Sequence, residues 1–205
     1  MIDAIYQMGK SVDVKNFIAA AKPWTAPMTN VLVATLTGDI GLLSTGELPL
    51  RNQQGQWVST IPWEDQPNFI NPKSGFIVTA NNHITPNNYP YPMPGQYSVY
   101  RNVRIQEMLN ATKKWNIESI GKLQIDTVSV AMRMLMPELL KNIKLSSGAD
   151  TVLSTVEKLK KWNADMQADS AEALIAVAWL NEISKDIYAD ELGPELFEKF
   201  RGPRL

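Results

Sequence analysis

Residues 75–82 read Gly75-Phe76-Ile77-Val78-Thr79-Ala80-Asn81-Asn82, and what surrounds them decides the fold class. Phe76 to Thr79 is apolar and β-branched, the composition of a short strand. That strand is predicted to run straight into Asn81-Asn82-His83, and asparagine tolerates the left-handed backbone of a turn. Residues 86–94 (PNNYPYPMP) then carry four prolines in nine positions, which forbids a regular helix or a central strand. From Ser98 the period becomes helical. Val99, Val103, Ile105, Met108 and Leu109 are predicted to share one face of a helix reaching about Ala111.

Working outward, the upstream half is rich in turns and short β-like runs. Residues 14–21 form a short helical stretch that ends before Pro23, where helices tend to stop. Residues 30–36 (NVLVATL) read as a strand, Thr37-Gly38-Asp39 as a turn and residues 40–43 as the return strand. Residues 51–57 (RNQQGQW) are polar and loop-like. Pro49 reads as a turn, and Arg51 as one half of a packed ion pair.

Downstream, the pattern is helical. Asn116 is placed to cap a helix over 118–125. Val128, Met132, Leu135 and Leu139 line another, which Pro137 kinks or breaks. Residues 151–161 turn Val152, Val156 and Leu159 inward, and residues 170–185 are strongly apolar. Met132, Met134 and Met136 read as core filling, and Trp162 and Trp179 as anchors between helices. Residues 201–205 read as a frayed tail. The expected class is α+β, with short β-strands in the N-terminal half and a helical C-terminal half. Residues 1–205 are expected to form a single partial domain, with strand and loop to about 95 and helix from about 96 to 200.

Composition removes several functions. Lys plus Arg number 20 and Asp plus Glu 21, so no basic excess marks a nucleic-acid partner. The absence of cysteine excludes disulfides, thiol nucleophiles and Cys-ligated zinc. No apolar run reaches the roughly 18 residues of a membrane helix, so no membrane partner is expected. Residues 1–13 lack the apolar core of a signal peptide. His83 is the single histidine, and no G-x-S-x-G elbow accompanies it, so a Ser-His-Asp triad is not expected. One histidine cannot build a histidine-rich metal site. Nucleotide-binding glycine motifs and a D-x-D-x-D-G calcium loop are missing as well. Asn110-Ala111-Thr112 fits the glycosylation pattern, but so short a pattern arises by chance. Asp126, Asp165 and Asp169 read as solvated faces and caps.

Four collinear segments share one pattern. The first runs from Pro27 and Asn30 through Gly38-Asp39-Ile40-Gly41 to Gly46-Glu47-Leu48-Pro49-Leu50-Arg51. The second is Asn71-Pro72-Lys73-Ser74 followed by the stretch ending in Ala80-Asn81-Asn82. The third is Tyr100-Arg101-Asn102-Val103-Arg104-Ile105. The fourth joins Gln124-Ile125-Asp126, Pro137, Trp162-Asn163-Ala164-Asp165-Met166 and Ser170-Ala171. The set spans about residues 17 to 179 and resembles the penicillin acylase family of N-terminal-nucleophile hydrolases, in an internal part of its catalytic (β) chain.

The resemblance implies a larger αββα hydrolase that cleaves linear amides of the penicillin or acyl-homoserine-lactone type. Its nucleophile is the first residue of the mature catalytic chain, and that residue's own α-amine is the base, so no histidine is needed. Asn81 matches the oxyanion-hole asparagine, and Arg101 an arginine that orients the nucleophile's amine and its hydrogen-bond network. Arg104 matches a less constrained position, Ala80 would help shape the acyl pocket, and His83 is expected at the solvent or the cleft mouth. The implied partners are a small acyl amide substrate and the remainder of the precursor, namely its α chain and further β-chain segments. The implied location of the full-length protein is periplasmic or extracellular.

Departures from the family pattern narrow these expectations. Ala34-Thr35 stands where Ala-Asp is usual, and Ala164 where glycine is usual. Calcium is implied for the full-length family protein, but residues 87–100 contain no Asp or Glu, so none is expected in this segment. No nucleophile with its flanking motif is found, so these residues by themselves are expected to be an inactive fragment. The alternative expectation is a non-catalytic remnant that binds a ligand or partner.

Overall fold

The computed structural model describes residues 1–93, 95–112, 114–144 and 150–200. The fold is α+β, with short antiparallel strands in the first half and helices in the second. The chain forms two compact units, Met1–Asn102 and Val103–Leu205.

The first unit opens with helices α1 (Ile2–Gly9) and α2 (Val14–Ala21). Asp13 starts α2 by accepting from the backbone N–H of Asn16 at 2.7 Å. Strands β1 (Thr29–Ala34), β2 (Ile40–Thr45) and β5 (Asn68–Ile70) form an antiparallel sheet with β2 central. Because side chains alternate along a strand, odd-numbered β1 and β2 residues face one side. Val31 and Leu43, directly opposite in register, pack there with Met8, Phe17, Ala21 and Trp24. Gly41 lies on the same side. A Cβ at Gly41 would stand 2.6 Å from Val14 Cγ1, so the missing side chain is what lets α2 approach the sheet.

The β1–β2 turn is tied by side chains. The Thr35 hydroxyl accepts from Asp39 N at 3.0 Å, so threonine performs the local capping that the family's usual aspartate could supply. Asn71 Nδ2 donates to Asp39 Oδ1 at 2.7 Å, while Asn71 Oδ1 accepts from Ile40 N at 2.9 Å.

Strands β3 (Pro49–Arg51) and β4 (Trp57–Thr60) form a separate hairpin, with a bulge at Leu50/Arg51. The polar stretch 51–57 is thus the hairpin end, with strand residues at both limits. Arg51 is exposed and donates from Nη1 to Gly55 O at 2.8 Å. Among the described residues it has no carboxylate partner, which corrects the ion-pair expectation: the tight turn offers a carbonyl closer than any acid. A 3-10 turn, Trp63–Asp65, leads into β5.

Residues 76–79 are not part of a ladder, although their composition predicts a strand. A strand requires a backbone neighbour as well as propensity, and the described residues supply none. A side-chain tether takes its place: Asn30 Nδ2 donates to Thr79 Oγ1 at 3.0 Å, and Asn30 Oδ1 accepts from Ser44 Oγ at 2.8 Å.

Helix α3 (Tyr100–Ala111) contains the boundary between the units. Its buried residue is Asn102, whereas Val99 is 57% and Val103 37% exposed. The predicted apolar stripe is therefore not the buried face at the start of α3, because that turn packs through hydrogen bonds.

The second unit contains α4 (Ile117–Gln124), α5 (Val130–Lys141), α6 (Asp150–Lys161) and α7 (Ala171–Phe200). Asn116 and Ser119 close a reciprocal capping box on α4. Pro137 lies inside α5. Its core joins Met132, Met136, Leu159, Ala164, Ala176 and Leu180, with Trp162 and Trp179 packed against it. Met134 and Val152 face outward instead, at 64% and 48% exposure. Helix α7 runs beyond the predicted Lys185 and breaks at Gly193, whose φ is 70°, just before Pro194. The expected frayed tail, 201–205, lies outside the described residues.

Asp126 is not a solvated cap. Arg104 donates to it twice, and Arg104 also meets Glu107, which bonds Arg133. Asp165 accepts from the Thr127 hydroxyl at 2.5 Å, next to the isolated antiparallel bridge between Val128 and Asp165.

Candidate active site

Asn81 stands at the centre of the candidate site. Its backbone is left-handed, with φ 59°, so it stops the extended run 76–79 and turns the chain. Asparagine is favoured in this region because its short polar side chain lowers the steric cost that other residues meet there. Ala80, just before it, is buried, whereas Asn81 itself is exposed. The Asn81 carbonyl accepts from Ser98 N at 3.0 Å, closing the loop that begins after it.

Arg101, in the first turn of α3, donates from Nη2 to Asn81 Oδ1 at 2.5 Å. The two residues singled out from sequence are therefore in direct contact. The bond is charge-assisted and fixes which end of the Asn81 amide faces the arginine. A guanidinium has no acceptor, so the interacting amide atom must be oxygen. The Nδ2 group, with two N–H donors, is left pointing elsewhere, and among the described residues nothing accepts from it. Drawing electron density toward Oδ1 also makes those N–H groups stronger donors.

A second pair lies beside the first. Asn82 Oδ1 accepts from Asn102 Nδ2 and from Ala80 N, both at 3.0 Å, and Asn82 Nδ2 donates to His83 O at 3.1 Å. Sequence reasoning missed Asn82 and Asn102. A signal was present: Asn81 to Arg101 and Asn82 to Asn102 are both twenty residues apart, so consecutive residues on a turn meet consecutive residues on a helix.

The loop after the turn is held from its rim. His83 is exposed, sets its ring edge-on to Tyr97 at 4.9 Å, and brings Nδ1 to 3.1 Å from Thr85 O. Tyr89 OH donates to Asp65 O at 2.8 Å and Tyr91 OH to Asp65 Oδ2 at 2.5 Å. The bond to the Asp65 carboxylate raises the Tyr91 phenol above its ordinary value. Burial, followed by the Asp65 charge, raises that of Tyr89. The proline-rich segment is thus pinned to the Trp63–Asp65 turn.

Arg104, in the second unit, is committed to Asp126 and Glu107. The Asp126 contact raises its pKa and holds the Asp126 carboxyl below the usual carboxylate range. Among the described residues, no three His, Asp or Glu side chains converge to hold a metal ion.

Comparison with known proteins finds relatives for the chain as a whole. The penicillin acylase 2 proenzyme of Pseudomonas sp. (strain SE83) is 27% identical over 185 residues, 83% of this chain and 24% of that protein. The acyl-homoserine lactone acylase QuiP of Pseudomonas syringae pv. tomato is 24% identical over 219 residues, 95% of this chain and 26% of that protein. The chain thus spans about a quarter of the length of these curated relatives. The solved thermostable penicillin G acylase of Alcaligenes faecalis shares the fold, with a TM-score of 0.73 over 96% of this chain and 39% of that one, at 17% identity. The model of the family described as penicillin amidase matches residues 1–204, so the chain belongs to the penicillin amidase family.

Proposed function

We propose that these residues form the oxyanion side of the active site of an amide hydrolase, with an N-terminal nucleophile supplied by sequence outside these 205 residues. The observation that carries this reading is the Arg101–Asn81 hydrogen bond, which engages Oδ1 and leaves Nδ2 as an outward neutral donor. When a nucleophile attacks an acyl amide, the carbonyl oxygen acquires negative charge. A preoriented N–H stabilises that charge more than it stabilises the neutral carbonyl, so the barrier falls. A neutral amide does this without competing for the base's proton. Arg101 acts through Asn81 by orienting and polarising it, and its fixed charge favours an anionic intermediate nearby. It also remains the candidate for ordering the hydrogen-bond network of the nucleophile's amine.

The substrate class is an acyl amide of the penicillin or acyl-homoserine-lactone type. The names of the two curated relatives support both, and nothing in the Asn81 turn separates them. Partners are the remaining segments of a longer precursor, and the location is periplasmic or extracellular. Exposed apolar side chains in each unit, Leu32 and Phe69 on the sheet of the first and Leu174 on α7 of the second, support such partners. Without those segments the 205 residues are expected to be inactive.

The test is turnover by the complete polypeptide that contains these residues. Asn81→Ala should lower it by roughly a hundredfold or more, the usual effect of losing one oxyanion donor. Near-normal turnover in that variant removes Asn81 from the mechanism.

A further inference from the structure

We infer that Asn82 and Asn102 are positioning residues that hold the Asn81 donor in place. This inference rests on the reading of Asn81 given above and goes beyond it, because neither residue offers a group to the substrate through the atoms concerned.

A single hydrogen bond cannot fix the Asn81 amide. The Arg101 contact holds one atom, Oδ1, and leaves the amide plane free to pivot about it. Arg101 is also a long side chain with many rotamers, so its grip costs conformational entropy. The direction of Nδ2 must therefore be set largely by the backbone from which the side chain springs. That backbone is in the left-handed region, which asparagine visits readily but which competes with other wells unless neighbouring structure selects it.

The neighbouring structure is Asn82. Its Oδ1 takes both the Ala80 N–H, on the near side of the turn, and the Asn102 Nδ2, on the helix. One acceptor thus joins the two ends of the turn to α3. Its Nδ2 is spent on the His83 carbonyl. Asn102 is the buried residue of α3, 9% exposed, so its amide sits where an unsatisfied polar group would be costly. Burial makes the Asn82–Asn102 contact the firm one, whereas the Arg101–Asn81 contact is exposed.

Together the pairs form a double stitch between consecutive residues of a turn and of a helix. One stitch stops translation and the other stops rotation. Catalytic donors lose much of their effect when displaced by about 1 Å, so the buried stitch acts on rate rather than on substrate affinity. The chemistry of the atoms also makes the pair directional. Asn82 acts as an acceptor toward Asn102 and Ala80, so aspartate keeps those two bonds and loses only the donor to His83 O. Asn102 must donate to Asn82, so aspartate cannot replace it.

The experiment has two arms. On the 205-residue chain, NMR relaxation follows the Asn81 side-chain NH2 group. Its order parameter should fall from the rigid range, about 0.8, to below about 0.6 in Asn82→Ala and in Asn102→Ala, and Asn82→Asp, which keeps the two accepted bonds but not the donor to His83 O, should restore it in part. An unchanged order parameter in both alanine variants overturns the inference. Should the buried Asn102→Ala chain fail to fold, the Asn82 variants decide this arm alone.

On the complete polypeptide, hydrolysis of phenylacetyl p-nitroanilide and of N-octanoyl homoserine lactone is measured. Each alanine variant should lose about tenfold in kcat with KM within about twofold, an interaction expressed mainly in the transition state. In an Asn81→Ala background the further loss should be under about twofold, because the group being positioned is gone. A full tenfold loss persisting in that background assigns the pair a general structural role and overturns the inference. Normal turnover in Asn81→Ala itself overturns the oxyanion reading and this inference with it. Turnover of neither probe by the unaltered polypeptide fails the amidase reading, and the NMR arm still decides whether the stitch orders Asn81.

Discussion

Arg104 and Asp126 are joined by two near-parallel hydrogen bonds, Nε to Oδ2 at 2.8 Å and Nη2 to Oδ1 at 2.6 Å. The side chains are 25% and 15% exposed, so solvent screens the pair only in part. The fork of a guanidinium matches a carboxylate, and an ammonium cannot reproduce it. Arg104→Lys should therefore destabilise the chain by about 1–2 kcal/mol, and Arg104→Ala by more, because it leaves Asp126 without its counter-charge. Urea unfolding checks this; a midpoint unchanged in Arg104→Lys would show that the fork adds nothing beyond charge.

Acid should weaken the same network. The Asp126 carboxyl is held low by hydrogen bonds from Arg104, and that of Glu107 by hydrogen bonds from Arg133 and then Arg104. Both values are depressed in the folded state. Their contribution is thus present above the unfolded carboxylate range, about pH 4, and is lost as pH falls through the lower folded values. The thermal midpoint should be flat from about pH 7 to 5 and drop below about 4. Asp126→Asn should make that acid slope shallower; an equal slope in the variant would assign the acid sensitivity to other groups.

Ala164 is a buried alanine with φ 64°, at a position where the family pattern expects glycine. Its carbonyl accepts from Ser129 N at 2.9 Å, which fixes the strained backbone to the start of α5. A left-handed alanine costs about 1–2 kcal/mol, while glycine returns part of that as freedom in the unfolded chain. Ala164→Gly should therefore raise stability by up to about 1 kcal/mol, unlike most glycine substitutions in a core. A loss above about 1 kcal/mol in chemical denaturation would mean that the methyl packing outweighs the strain.

Gly41 and Val14 should be energetically coupled. Gly41→Ala places a methyl 2.6 Å from Val14 Cγ1 and 3.2 Å from Val33 Cγ1, so the Val14 side chain or the helix that carries it must shift. Overpacking of this kind costs about 1–3 kcal/mol. In a Val14→Ala background the penalty should shrink by about 1 kcal/mol or more, read from a double-mutant cycle. Strict additivity of the two substitutions would place the strain elsewhere.

Much of the scaffold was legible because it follows local rules. The β1–β2 hairpin shows apolar runs around a Gly-Asp turn, and Asn116 announces its helix by capping it. Val156 and Leu159 fall inward on α6, as their spacing requires. What escaped depends on partners far along the chain. Residues 76–79 carry strand propensity but lack a ladder neighbour among the described residues. The β3–β4 hairpin is largely exposed, so no alternation of burial marks it. At the site, the resemblance drew attention to Asn81 and Arg101, but not to Asn102, a polar residue buried among positions whose apolar period pointed to other faces.

The left-handed backbone at Asn81 also restricts what position 81 can become. Glycine, asparagine and aspartate are the residues that occupy φ near 59° at low cost. Glycine carries no side-chain donor, and ionised aspartate carries only acceptors. For the donor role proposed above, conformation and donor chemistry are two independent sieves, and asparagine passes both. Under the donor role proposed for Asn81, a saturation library at this codon should favour asparagine.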